Sequence, residues 1–356
     1  MLFERFFMKR IVNIFLFTFA ASVLFLASCQ KEGPEAVSSA KESVECLFTL
    51  AGDIDLPSTK AVGLESDAKG TIAEKSVRTL QVFVFDSTGT CVNSRYVTNS
   101  GSLHLTVDSD NGYSFYAVAN LEDITSKVST VAELLDITTD ALSTEDGSSR
   151  FPMQGCLKDQ AVNPNNKSFS IEVERRAAKV VLRNITNSLP SEYGEIIVEG
   201  IYLSNVVTAS GMFSDALPQE PIWTNKMGVY DSLSPHDWLS DKLSVAVAVG
   251  RGGVYDIAHT FYAAANAVEE DTREEEWCPR YTRLVVRTNI QGVTRYYPLT
   301  FGAELPSLKA NEYIDVTNLN IKSLGPLDPE KPITTEEVMV SVTVKEWNRT
   351  ETEVEF

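Results

Sequence analysis

Histidine and cysteine are scarce in this chain. Its 356 residues include three His and five Cys, with no Cys-x-x-Cys pair and no grouped His, a pattern that argues against a metal cluster. His104, His236 and His259 stand apart and outline no catalytic triad. His104 lies between Leu103 and Leu105, so it points off that strand's apolar face. Basic residues are also in deficit: 31 Lys and Arg stand against 49 Asp and Glu, a formal net charge of -18. A surface this acidic argues against nucleic acid as a partner and against flat contact with anionic headgroups. Phosphate-binding glycine motifs are missing too. Gly250-Arg251-Gly252-Gly253 has no following Lys-Ser/Thr and opens no helix, so it reads as a turn. Asp108-Ser109-Asp110-Asn111-Gly112 starts like a calcium loop, but Ala119 occupies the position that needs a bidentate Glu. Asn111-Gly112 reads instead as a hairpin turn. The acidic run Glu269 to Glu276 reads as a solvated loop. No carboxylate pair stands out as acid and base. No enzyme activity and no cofactor are therefore expected; a surface hydrolase would need carboxylates or His gathered in a cleft.

What is present begins with a leader. Lys9 and Arg10 precede an apolar stretch, Ile11 to Ala27, interrupted only by Asn13, Thr18 and Ser22. Leu26-Ala27-Ser28-Cys29 then supplies small residues ahead of a Cys. Those regions describe a secretory signal and not a stable span. The junction resembles a bacterial lipobox, which implies cleavage before Cys29, lipidation of its thiol and a protein anchored outside the cytoplasm by acyl chains. Met8 also serves as a start, since Met8-Lys9-Arg10 opens a conventional leader. The leader carries three basic residues and one acidic residue, so the chain without it carries -20. With Cys29 assigned to lipid, Cys46, Cys91, Cys156 and Cys278 remain and read as single buried thiols, although the compartment permits disulfides.

Residues 29–43 read as a polar tether. Val44, Cys46, Phe48 and Leu50 then alternate with Glu45, Leu47 and Thr49 as a strand with one apolar face. Further strands are predicted over 80–86, 102–107, 113–120, 169–173, 178–182, 195–203, 243–249, 281–288, 294–301, 313–321 and 338–344. Thr130-Val131-Ala132-Glu133 reads as a capping box opening one short helix. Many short strands with few helices predict an all-β protein of two sandwich domains, 44–185 and 186–356.

The two ends of the globular region invite comparison. Residues 44–60 form a removable strand and loop, with a basic residue, Lys60, at the end. At the back, Val338, Val340, Val342 and Val344 alternate with polar or flexible residues, and Trp347, Val354 and Phe356 follow. If cleavage after Lys60 removed the front strand, its sheet would expose an apolar slot. A terminal strand from a second molecule fits such a slot by β-strand addition. The contact is heterologous and propagates into an open filament. Burying four valines at ~1.5–3 kcal/mol each, with a hydrogen-bond ladder, gives a gross gain of about 10 kcal/mol before ordering entropy. The alternative is that 338–356 is simply the last strand of its own domain.

In sequence the chain resembles the fimbrillins, the major fimbrial subunit family of type V pili in the Bacteroidales. The likeness runs through Leu26 to Cys29, Lys60-Ala61-Val62-Gly63, Arg78 to Asp86 with Gly89, Phe151-Pro152-Met153-Gln154-Gly155, Glu174-Arg175-Arg176-Ala177-Ala178-Lys179-Val180, and Asn311 to Ile321 followed by Gly325-Pro326 and Trp347. The resemblance implies two tandem transthyretin-like β-sandwich domains, export as a lipoprotein to the outer membrane surface, and trimming between Lys60 and Ala61 by a trypsin-like or Arg/Lys-directed protease. It also implies strand exchange between copies or related fimbrial subunits, and adhesion to a host or bacterial receptor. The family often has Arg at the trimming site, where this chain has Lys60. An untrimmed relative would be a non-polymerising anchor or accessory subunit. The second alternative is a surface lipoprotein that binds glycans through Trp223, Trp238 and Trp277, for which core packing is the competing explanation.

Overall fold

The computed structural model describes residues 41–52, 54, 72–140, 151–207, 209–217, 223–225, 240–241, 243, 245–268, 270–271, 279–334 and 337–347. The expected all-β architecture holds: strands of two to ten residues dominate, and the described helices are one-turn pieces. No described helix is long and apolar enough to cross a membrane.

Alternating sequence builds the first core. Strand Ser43–Ala51 turns Val44, Cys46, Phe48 and Leu50 inward, and Ser102–Asp108 turns in Leu103, Leu105 and Val107. With Ser168–Glu172 they form a three-stranded sheet. Opposite lies a five-stranded sheet in the order Cys91–Thr98, Thr79–Phe85, Asp110–Ala119, Met153–Val162, Glu174–Arg175. Apolar side chains from both sheets share one cluster, the signature of a sandwich. Thr79–Phe85 is buried on both faces because Phe83 and Phe85 enter a second cluster with Ile124, Val128, Leu134 and Met212. Helix Val131–Leu135 brings Leu134 there, and its Thr130/Glu133 capping box is present as expected.

Gly155 explains one of the motifs. Any Cβ there would sit 2.0 Å from the Glu172 carbonyl oxygen, so only glycine lets Met153–Val162 pass this close to Ser168–Glu172. Asn111-Gly112 corrects an expectation. Ser102–Asp108 and Asp110–Ala119 do not pair with each other; they belong to opposite sheets. The chain crosses between sheets at Ser109, and Asn111-Gly112 lies at a register break in the second strand, where Gly112 takes φ 78°.

The second core lies between two further sheets. One runs Val254–Tyr255, Ile185–Asn187, Glu312–Ile321, Ala177–Leu182, His259–Ala264, with Val338–Glu346 on the other edge of Glu312–Ile321. The other runs Ser240–Asp241, Ile196–Ser204, Arg283–Ile290, Val293–Thr300, with Val247–Val249 also on Ile196–Ser204. Ala178, Val180 and Leu182 already belong to this core. The changeover between cores therefore falls between Arg175 and Ala177, ahead of the boundary expected near 185. The strand expected over 243–249 is confined to Val247–Val249.

Two polar expectations also change. The acidic run is not wholly solvated: Asp271 is 2.7 Å from Arg283, and both side chains are largely buried. Cys46 is buried as expected, but Cys91 is half-buried and Cys156 exposed; all three are free thiols. Cys278 lies outside the described residues.

Candidate functional site

The front strand sits in the middle of its sheet. Ser43–Ala51 pairs antiparallel with Ser102–Asp108, from Ser43↔Asp108 to Thr49↔Ser102. Its other edge pairs parallel with Ser168–Glu172, from Leu47↔Ser168 to Ala51↔Glu172. Phe48, 1% exposed, makes the strand's aromatic contacts: its ring lies 4.9 Å from Phe115 edge-on and 5.5 Å from Phe169 stacked. Burial pushes the Cys46 thiol pKa up, as expected for a side chain that serves as packing. At the strand's entry Ser43 Oγ donates to Asp108 Oδ1 at 2.9 Å, and the Lys41 ammonium donates to Asp110. The Lys41 and Ser43 bonds, two ladders of backbone bonds and the apolar face tie residues 41–51 to their neighbours. Without this strand, the sheet would present two unpaired strand edges above an apolar trough lined by Leu103, Leu105, Phe115 and Phe169.

The terminal strand Val338–Glu346 pairs antiparallel with Glu312–Ile321, from Ile321↔Val338 to Glu312↔Glu346, with a register shift between Val316 and Asn318. It is an edge strand of its own sheet among the described residues. Its apolar face is graded: Val338 is buried, Val340 and Val342 pack partly against the second core, and Val344 is exposed. Beyond it, Trp347 is 0% exposed. The indole is stacked on Tyr262 at 5.8 Å, meets Phe151 edge-on at 5.4 Å, and lies under the Arg175 guanidinium at 5.1 Å and the Lys179 ammonium at 5.9 Å.

Those cations converge on one buried residue. Glu74, from the short helix Ile72–Lys75, places its carboxylate 3.1 Å from Lys179 Nζ and accepts from the Tyr262 hydroxyl. Its backbone carbonyl accepts from Arg175 Nε at 2.9 Å. Burial, then the nearby Glu74 charge, drives the Tyr262 hydroxyl pKa well up, so Tyr262 stays a donor. Arg176 points elsewhere, donating to Gly211 and Ser214 carbonyls and to Asp215.

Cys29, Lys60, Ala61, Val354 and Phe356 lie outside the described residues, as do Trp238 and Trp277. Trp223 is 4% exposed, packed with Phe151, Val207 and Trp347. At Trp223 the structure agrees with core packing and not with the alternative of an exposed glycan platform. Sequence reasoning missed Glu74 and the company Trp347 keeps. The available signal was three cations, Arg175, Arg176 and Lys179, in one buried strand segment, which demand an anion from somewhere. No described His, Cys, Asp or Glu group could hold a metal ion.

The described residues thus form an all-β fold with a central front strand and, after the second core, an edge strand. Residues 50–188 match the family model described as "Major fimbrial subunit protein (FimA)". Over that segment, which is less than half of the chain, it is similar to the fimbrillin family, as its motifs led us to expect. Among solved structures it is similar to a fimbrilin (FimA) from Porphyromonas gingivalis W83, with 14% identity over 87% of this chain and 98% of that one and a TM-score of 0.54. It is also similar to candidate cell adhesion proteins from Bacteroides eggerthii DSM 20697 (16% identity, 86% and 97% coverage, TM-score 0.57) and Parabacteroides distasonis ATCC 8503 (17%, 87% and 98%, TM-score 0.57). No curated protein sequence matches.

Proposed function

We propose that this protein is a structural, non-enzymatic fimbrial subunit organised as two sandwich domains. It is exported as a lipoprotein through Cys29, trimmed between Lys60 and Ala61 by an Arg/Lys-directed protease, and polymerised by strand exchange in support of adhesion. The observation that carries this reading is the position of Ser43–Ala51. It is bonded along both edges, so its loss would leave a trough with hydrogen-bonding rims on either side. A donated strand satisfies both rims, which a flat apolar patch could not offer. Residues 338–356 of a neighbouring copy or related subunit are the proposed donor, with Val338, Val340, Val342 and Val344 as the apolar face. An anchor or accessory subunit would keep residues 44–60 and stay monomeric.

The test is N-terminal sequencing of surface-extracted protein together with gel analysis without boiling. The expected result is a mature start at Ala61 and SDS-resistant ladders. A variant lacking 338–356 is expected to be exported and trimmed but to form no ladder; fibres from that variant would refute the donor assignment.

A further inference from the structure

We propose that Trp347, in a seat organised by Glu74, is a latch that holds the terminal strand on its own subunit and sets how readily it can be donated. The inference rests on the strand-exchange reading above and adds to it the contact that opposes exchange.

The ladder between Val338–Glu346 and Glu312–Ile321 ends in a weak place. Val344 is exposed and so buries little of its own apolar surface. The strand lies at a sheet edge, where fraying starts from the end with the fewest contacts. Trp347 reverses that: it is fully buried, its backbone N–H donates to the Asn311 carbonyl at 2.9 Å, and aromatic rings and cations surround the indole. Tyr262, Arg175 and Lys179, three of the groups around the indole, are also tied to Glu74. Removing the carboxylate's charge would leave the buried Lys179 ammonium short of an anion and weaken the Tyr262 bond, loosening the seat around the ring.

The latch is built to release. The Trp347 Nε1–H is buried with no acceptor among the described residues, so leaving the seat restores a hydrogen bond to water. Glu74, Phe151, Arg175, Lys179, Tyr262 and Trp347 all follow Ala61 in the chain. Trimming after Lys60 would thus leave the latch intact, and a trimmed subunit would still hold its own strand until Trp347 is displaced.

The test is hydrogen–deuterium exchange of the full-length protein, reading amides 338–346 against the internal strand Arg283–Ile290. Trp347→Ala and Glu74→Gln are each expected to raise exchange in 338–346 at least about tenfold, with Arg283–Ile290 unchanged; Trp347→Phe is expected to fall between wild type and Trp347→Ala. Glu74→Gln keeps the test open if Trp347→Ala does not fold. The latch is overturned if exchange in 338–346 is unchanged in Glu74→Gln, or if it rises only in step with Arg283–Ile290. Ladder formation by the trimmed proteins separates the two readings. Faster exchange with no ladder in any variant or wild type sinks strand exchange and leaves the latch. Ladders at the wild-type rate with unchanged exchange sink the latch alone.

Discussion

Replacing Phe48 with Ala should weaken the uncut protein strongly and leave the trimmed protein untouched. Phe48 is 1% exposed and wedged between Phe115 and Phe169. Truncating a buried Phe costs about 3–5 kcal/mol through lost transfer energy and the cavity left behind. Losing its two ring contacts adds up to ~1–3 kcal/mol at ~0.5–1.5 each, part of it already inside the first figure. A loss near 4 kcal/mol is therefore expected, a factor of roughly a thousand in the folded-to-unfolded ratio. Denaturant titration of the first sandwich, followed by a probe at Tyr113 or Tyr116, reads it. Leu47→Ala is the control, because Leu47 faces the other side of the strand and is only half-buried. After trimming behind Lys60 the wild-type and Phe48→Ala chains become identical, so their midpoints and ladders must coincide. A change below about 1 kcal/mol in the uncut protein would mean that the front strand does not anchor this sandwich, and the slot argument would fail with it.

Other outcomes follow from single contacts. Gly155→Ala should sharply lower the thermal midpoint, since its Cβ would lie 2.0 Å from a backbone oxygen that cannot step aside. Thiol labelling of the native protein should mark the exposed Cys156 first and reach Cys46 only on unfolding, because Cys46 is buried and its thiol pKa is raised by burial. The Thr88 hydroxyl, then the Thr90 amide, holds the Asp86 carboxyl below its ordinary pKa. Because the folded value is the lower one, its contribution to the turn is present above the unfolded pKa and fades as pH falls through the folded one. An NMR titration should give Asp86 a midpoint below that of an unstructured Asp, and Thr88→Ala should move it back up. Asp271→Asn should destabilise by about 3–5 kcal/mol in chemical unfolding, since it strips a buried guanidinium of its carboxylate.

Much of the fold is visible in residue alternation. Val44, Cys46, Phe48 and Leu50 keep a period of two that only a half-buried strand requires, and the same holds for Leu103, Leu105 and Val107. Thr130 and Glu133 cap their helix by purely local bonds. Asn111-Gly112 misled because a tight-turn dipeptide and a bulge ask for the same left-handed freedom, and only strand partners tell them apart. Asp271 misled because charge runs usually face water, and its partner Arg283 lies in a different element.

The amino-acid order alone determined most of the strands, the acidic composition and the motifs that resemble fimbrillins, since these depend on composition or on neighbours a few residues apart. The tertiary structure decided that Ser43–Ala51 is central in its sheet and not at an edge. It also decided that Trp347 rests among Phe151, Arg175, Lys179 and Tyr262, with Glu74 binding the seat together. These facts depend on which distant segments meet, and hydrophobic periodicity says which face is buried without saying against what.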